Sequence, residues 1–187
     1  MSYLRCLDDC RGSGVHVPWG DSTINWIGET TQDQIRIECV LEKLITPESV
    51  ILHVGIGNSA FADRFASRVK HIDGITLGQT EVILARNLRN YEVWRANKYH
   101  TKYRREYDFI IDNNLGSYAC CITHFHSMMD AYRDALRLGG MILTDRAGLK
   151  HAPGDPNWDL SGDIQSIADK FGLRLTEETE MVLALRK

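Results

Sequence analysis

The sequence predicts an α/β protein with a doubly wound, mostly parallel sheet and an antiparallel C-terminal strand. Short apolar runs of strand length alternate with stretches whose apolar residues recur at helical spacing. The connections between them are short, which places successive strands parallel with helices on both faces. The last two apolar runs are separated only by Thr176 to Glu180, a gap that suits a hairpin and turns the final strand antiparallel.

Residues 1 to 30 show little periodicity, and RGSGVHVPWGDS, with Gly12, Gly14, Pro18 and Gly20, reads as a loop. From Gln34 the pattern is helical: Ile37, Val40, Leu41, Leu44 and Ile45 make one apolar stripe, which Pro47 ends. A single domain is expected, with residues 1–33 as an N-terminal loop or lid and 34–187 as the α/β core. Val50 to Val54 is the first strand, Gly55 and Gly57 a tight turn, and Phe61 and Phe65 lie one turn apart on the following helix. The glycines permit a sharp turn and close approach of a ligand, with the amides of that helix facing it.

The second strand lies in HIDGITLG and ends near Thr76, followed by a helix from Gln79 to Leu88. Tyr91 to Ala96 is the third strand. NKYHTKYRREY, from Asn97, is a loop or short helix. YDFIID, ending at Asp112, is the fourth strand. Residues 120–138 form the longest helix, with Ile122, Phe125, Met129, Tyr132 and Leu136 on one face, and Gly139 and Gly140 at its end. GMILT is the fifth strand and 146–160 is loop. Ile164, Ile167, Ala168 and Phe171 mark the last helix. Strands around Leu173 to Leu175 and Met181 to Leu185 finish the chain.

With 187 residues, 43% hydrophobic and 25% charged, the composition is that of an ordinary globular domain. A net charge of -3 gives no general pull toward nucleic acid or anionic membrane. The apolar runs are too short to span a bilayer. MSYLRCLDDC lacks the apolar core of a secretion signal, so a cytoplasmic location is expected. The five cysteines are odd in number and form no CxxC pair, so neither a disulfide framework nor a zinc site is indicated.

In open α/β sheets ligands bind beyond the carboxyl ends of the strands. That rule selects Gly55, Ile56, Gly57, Asn58 and Ser59 after strand one, and Thr76, Leu77 and Gly78 after strand two. It also selects Asn97, Lys98 and Tyr99 after strand three, Asp112, Asn113 and Asn114 after strand four, and Asp145 and Arg146 after strand five. Such a rim can hold a nucleoside with groups that accept and donate.

LHVGIGNS, DGITLG, YDFIIDNN and LRLGGMILTD, in this order and spacing, resemble the motifs of the class I S-adenosylmethionine-dependent methyltransferases. The resemblance covers residues 34–187 and implies their Rossmann-like fold, with S-adenosyl-L-methionine as cofactor. It implies that Gly55 and Gly57 pass under the methionine part. Thr76 occupies the slot of the acid that grips the ribose hydroxyls, Asn97 or Lys98 lies near the adenine, and Asp112 and Asn113 flank the methionine end and substrate. His53, Thr76 and Asn97 stand where acidic residues are common. All three keep hydrogen-bonding ability and drop negative charge, which leaves modest affinity and a non-catalytic cofactor-binding protein open as alternatives.

Two further readings compete. Gly55, Gly57 and Ala60 fit the dinucleotide fingerprint G-x-G-x-x-A with Asp73 near the ribose-acid spacing, though Asp73 precedes the strand end. A metal-assisted O-methyltransferase would use Asp112 and Asp145, but Arg146 stands where a third ligand belongs and no metal is expected. For proton removal from an acceptor the candidates are His124 and Asp112; His126 reads as solvated. The basic stretch Arg95 to Arg105 reads as a solvated face, and a nucleic-acid partner is not expected. The loops at 11–22 and 146–160 carry Trp19 and Trp158 and are expected to cover the substrate. The expectation is methyl transfer to oxygen, nitrogen or carbon of a small molecule, in a pocket either shallow or completed by a second copy in a homodimer.

Overall fold

The computed structural model describes residues 28–99, 101–119, 122–152 and 155–187. The loop at 11–22 with Trp19, and Cys6, Cys10, Cys120 and Cys121, lie outside the described residues. The chain runs α1 (Gln32–Leu41), β1 (Val50–Val54), α2 (Ala60–Phe65), β2 (His71–Thr76), α3 (Gln79–Leu84), β3 (Tyr91–Arg95) and β4 (Tyr107–Ile111). It continues as α4 (Ile122–Ala135), β5 (Leu136–Asp145), β6 (Lys150–Ala152), β7 (Asp155–Asp159), α5 (Ile164–Lys170), β8 (Arg174–Glu177) and β9 (Val182–Arg186).

Seven strands form one sheet in the order β3-β2-β1-β4-β5-β9-β8. The pairings from β3 to β5 are parallel, and β9 runs antiparallel between β5 and β8, as the short final gap predicts. Successive residues of a strand face opposite sides, and the two sides carry separate cores. Leu52, Ile110, Ile142 and Leu185 pack with Phe125, Met129 and Tyr132 of α4. Ile51, Ile111, Leu143 and Ala184 pack with Ile37 and Leu41 of α1 and Phe61 and Phe65 of α2. The order reverses beside β1, which opens a crevice at the carboxyl ends of β1 and β4.

Three expectations are corrected. The helix after β2 ends at Leu84, leaving Ile83 and Leu84 exposed, and does not reach Leu88. Gly139 and Gly140 do not end α4; they lie inside β5, because Leu136 already pairs with Tyr107 of β4. Gly139 has φ +82°, and a Cβ on Gly140 would sit 2.9 Å from the Tyr107 carbonyl, so the glycines serve an irregular strand start. Residues 146–160 are not an open loop but a short 3₁₀ turn (Arg146–Leu149) followed by the β6–β7 hairpin.

Candidate functional site

β1 ends in a turn made by two residues in left-handed conformation, Gly55 (φ +77°) and Gly57 (φ +51°). Gly55 N–H donates to the Ile75 carbonyl of β2 at 2.8 Å, which fastens the turn to its neighbour strand. Gly74 of β2 makes room for it: a Cβ there would lie 2.8 Å from Cγ2 of Ile56. Two amides at the head of α2 are engaged within the turn: Ala60 N–H donates to Asn58 Oδ1 at 2.9 Å and Ser59 N–H to the Ile56 carbonyl at 2.9 Å.

Beyond this turn lies a cavity of about 400 Å³. Of the residues singled out in the sequence, Gly55, Ile56, Gly57, Asn58, Thr76, Leu77, Gly78, Asn97, Lys98, Tyr99, Asp112, Asn113 and Asn114 line it. Ser59 does not; it is buried behind the turn at φ +63°. The ends of β1 to β4 thus converge on one space, whereas Asp145 at the end of β5 stands outside it.

His53 lines the cavity from β1 and is 2% exposed. Its ring stacks on Phe61 at 4.2 Å, and neither ring nitrogen has a hydrogen-bond partner among the described residues. Burial without a compensating charge pushes its pKa down to about 3, so the ring is neutral and carries one donor and one acceptor.

Asp112 is buried and its carboxylate is held on three sides. Lys98 Nζ donates to it at 2.9 Å, Tyr132 OH at 2.9 Å and the Asn114 N–H at 3.1 Å. Lys98 is itself enclosed; desolvation lowers its pKa while Asp112 opposes that fall, and it also donates to the Asn114 carbonyl. This largely enclosed pair locks the loops after β3 and β4 together. His124 is buried in the first turn of α4 and is not part of the cavity wall. The two residues expected to act as bases are therefore not brought together.

Asn97 accepts the Tyr99 N–H at 2.9 Å through Oδ1. Asn113 donates to Asp33 of α1 at 2.6 Å. Asp33 and Gln34, with Gly28, Glu29, Thr30 and Thr31 before them, close the cavity from above. Ser117 and Tyr118, the latter at φ +65°, close its far side. Gly28 to Asp33 belong to the segment read from the sequence as an N-terminal loop or lid, whereas Gln34, Ser117 and Tyr118 were not singled out for the site, because they follow no strand end.

Several sequence expectations find other surroundings. Asp145 has no exposed side-chain surface and is held by Arg36 of α1 through two bonds of 2.8 and 2.9 Å and by the Ala147 N–H. With Asp112 committed to Lys98, both carboxylates of the metal-assisted reading are engaged by protein cations. Asp73 lies buried in mid-β2, bound by Tyr107 OH at 2.7 Å, His71 at 2.8 Å and Arg105 at 3.2 Å, outside the cavity, so it does not serve as a ribose acid. The basic stretch is solvated at Lys102, Arg104 and Arg105, the last two pairing with Glu92 at the surface, whereas Lys98 is largely enclosed and Arg95 donates to the Leu77 carbonyl. His126 sits 2.9 Å from Lys170 Nζ, against Phe171. Trp158 is not in the cavity wall either: it packs edge-on against Phe125 and donates to the Gly116 carbonyl at 2.9 Å.

No family model and no curated protein matches the sequence. Solved structures do match in fold. An S-adenosylmethionine-dependent methyltransferase from Mesorhizobium loti aligns with TM-score 0.63 at 11% identity, over 82% of this chain and 97% of that one. A TehB-like S-adenosylmethionine-dependent methyltransferase from Corynebacterium glutamicum aligns at 0.62 and 13% identity, over 80% and 85%. The N-methyltransferase NodS from Bradyrhizobium japonicum aligns at 0.61 and 16% identity, over 82% and 93%. The strand order, the single antiparallel strand and these alignments define the class I methyltransferase fold. This chain has that fold, as its motifs imply.

Proposed function

We propose that the chain is an S-adenosylmethionine-dependent methyltransferase that methylates a small molecule. The observation that supports this best is the convergence of the glycine turn with the ends of β2, β3 and β4 on one cavity. Its volume of about 400 Å³ lies in the range of small-molecule sites. The residues present suit the cofactor: a turn without Cβ at Gly55, a buried imidazole awaiting a partner at His53, and hydroxyl and amide groups at Thr76 and Asn97. In this reading Gly55 to Asn58 hold the methionine part, Thr76 and Leu77 the ribose, Asn97 and Lys98 the adenine, and Asp112 and Asn113 the reacting end.

When bound, the cofactor supplies an electrophilic methyl group on a sulfonium. The chain's contribution is placement. The Lys98–Asp112 pair and the Asn113–Asp33 bond hold the cavity walls rigid, and orientation of this kind can supply most of the rate enhancement in a displacement that needs no protein nucleophile. Acceptors at oxygen, nitrogen or carbon all remain compatible with this arrangement, and the protein is expected in the cytoplasm. Among the described residues, no helix is long and apolar enough to cross a membrane.

The engagement of Asp112 and the position of His124 favour one second reading, a cofactor-binding protein that does not transfer the methyl group. Calorimetric titration with S-adenosylhomocysteine and with NAD tests the site: binding of the first alone is expected, and binding of neither overturns both readings. Transfer of label from methyl-labelled cofactor to any small molecule of a cell extract then removes the second.

A further inference from the structure

The end of β2 presents a threonine to the cavity, not a carboxylate, yet a carboxylate stands directly behind it. Thr76 Oγ1 donates its only proton to Oε2 of Glu81, five residues on in α3, and accepts the Gly78 N–H at 3.2 Å. Glu81 is 1% exposed and is not part of the cavity wall. A hydroxyl oxygen has two lone pairs. One holds the Gly78 N–H, and the other remains on a side chain that lines the cavity.

This arrangement fixes the polarity of Thr76. Its proton is committed to Glu81, so toward a ligand the oxygen can only accept. A hydrogen bond to a carboxylate is stronger than one between neutral groups, and linked bonds polarise one another. The Thr76 oxygen is therefore a better acceptor than an isolated hydroxyl. It suits a neutral O–H donor and disfavours an anionic group such as a phosphate, which has no proton to give and faces the charge of Glu81.

We infer that Glu81 is a positioning residue for ligand recognition: acting through Thr76, it makes the end of β2 an acceptor for a sugar hydroxyl of the nucleoside. The inference rests on the S-adenosylmethionine reading of the cavity. It also accounts for how a site with threonine in place of an acid keeps a negative charge in reserve one bond away.

The test is calorimetric titration of S-adenosylhomocysteine and its 2′-deoxy and 3′-deoxy analogues into the wild type, Thr76→Val, Thr76→Ser and Glu81→Gln. Binding of S-adenosylhomocysteine by the wild type examines the underlying reading, and its absence removes that reading and the inference together. Given binding, Thr76→Val and Glu81→Gln are each expected to weaken S-adenosylhomocysteine by about tenfold. Thr76→Ser keeps wild-type affinity. One deoxy analogue binds the wild type more weakly and is insensitive to both damaging variants. Equal losses for all three ligands mean that Thr76 and Glu81 serve only the fold and overturn the inference, as do undiminished affinities in both variants.

Discussion

His53 is the residue whose surroundings differ most from what its chemistry asks for. Two ring nitrogens buried without partners among the described residues cost about 1–3 kcal/mol each, unless a ligand meets them. A leucine at this place would pack against Phe61 without that cost, so the imidazole is explained by the cavity it lines and not by the core beneath it. The same burial ties stability to pH. The folded ring titrates at about 3, against 6.5 for an ordinary histidine. Above pH 6.5 the ring is neutral in both states and its contribution is complete. As pH falls from 6.5 toward 3 the unfolded chain takes up a proton that the folded chain refuses, and stability drops by up to about 1.4 kcal/mol per pH unit. His53→Leu is expected to flatten that decline. Urea unfolding of both proteins at pH 7 and pH 5 checks it; parallel losses in the two would show that the ring is not held neutral.

At the scale of elements, the site depends on how the loop after β4 is gripped by the turn after β5. The Gly148 carbonyl accepts from Gly116 N–H at 2.8 Å and Ser117 N–H at 3.0 Å. The contact is so close that a Cβ on Gly148 would fall 1.7 Å from the Asn113 carbonyl oxygen. Both are backbone, and neither can swing aside as a side chain would. Gly148→Ala is therefore expected to push the Asn113 loop away from its neighbour, costing about 1–3 kcal/mol of stability and weakening S-adenosylhomocysteine binding. Gly162→Ala, where an added Cβ meets nothing within 4 Å, should leave both unchanged. Urea unfolding and titration of the two variants decide it; a Gly148→Ala protein with wild-type affinity would detach this packing from the site. A third fastening, Arg36 to Asp145, ties α1, whose Asp33 and Gln34 line the cavity, to β5.

For the whole molecule, the sheet was largely readable in the sequence because each strand is a short apolar run bounded by a turn. Val50–Val54 and His71–Thr76 fall where their flanking polar and glycine residues place them. The start of β5 was not readable, since Leu136 to Leu138 continue the helical pattern of α4, Gly139 and Gly140 read as its end, and only pairing with Tyr107 makes this segment a strand. The cavity rim followed from strand ends, which are local features. What the sequence hid are partners distant along the chain: Arg36 with Asp145, Asn113 with Asp33, and Lys98 with Asp112. No spacing rule pairs such residues, and they brace Asp112 within its loop. The cavity draws its walls from α1, four strand ends and the Ser117–Tyr118 turn, so a ligand that fills it must tie these segments to one another. Saturation with S-adenosylhomocysteine at 100 times its dissociation constant is expected to raise stability by about 2.7 kcal/mol. Hydrogen exchange should slow in residues 28–34, 55–58, 97–99 and 112–118, with β8 and the β6–β7 hairpin unchanged. Slowing confined to the glycine turn would mean that the ligand sits on the rim without joining the walls. Uniform slowing across the sheet would point to global stabilisation alone.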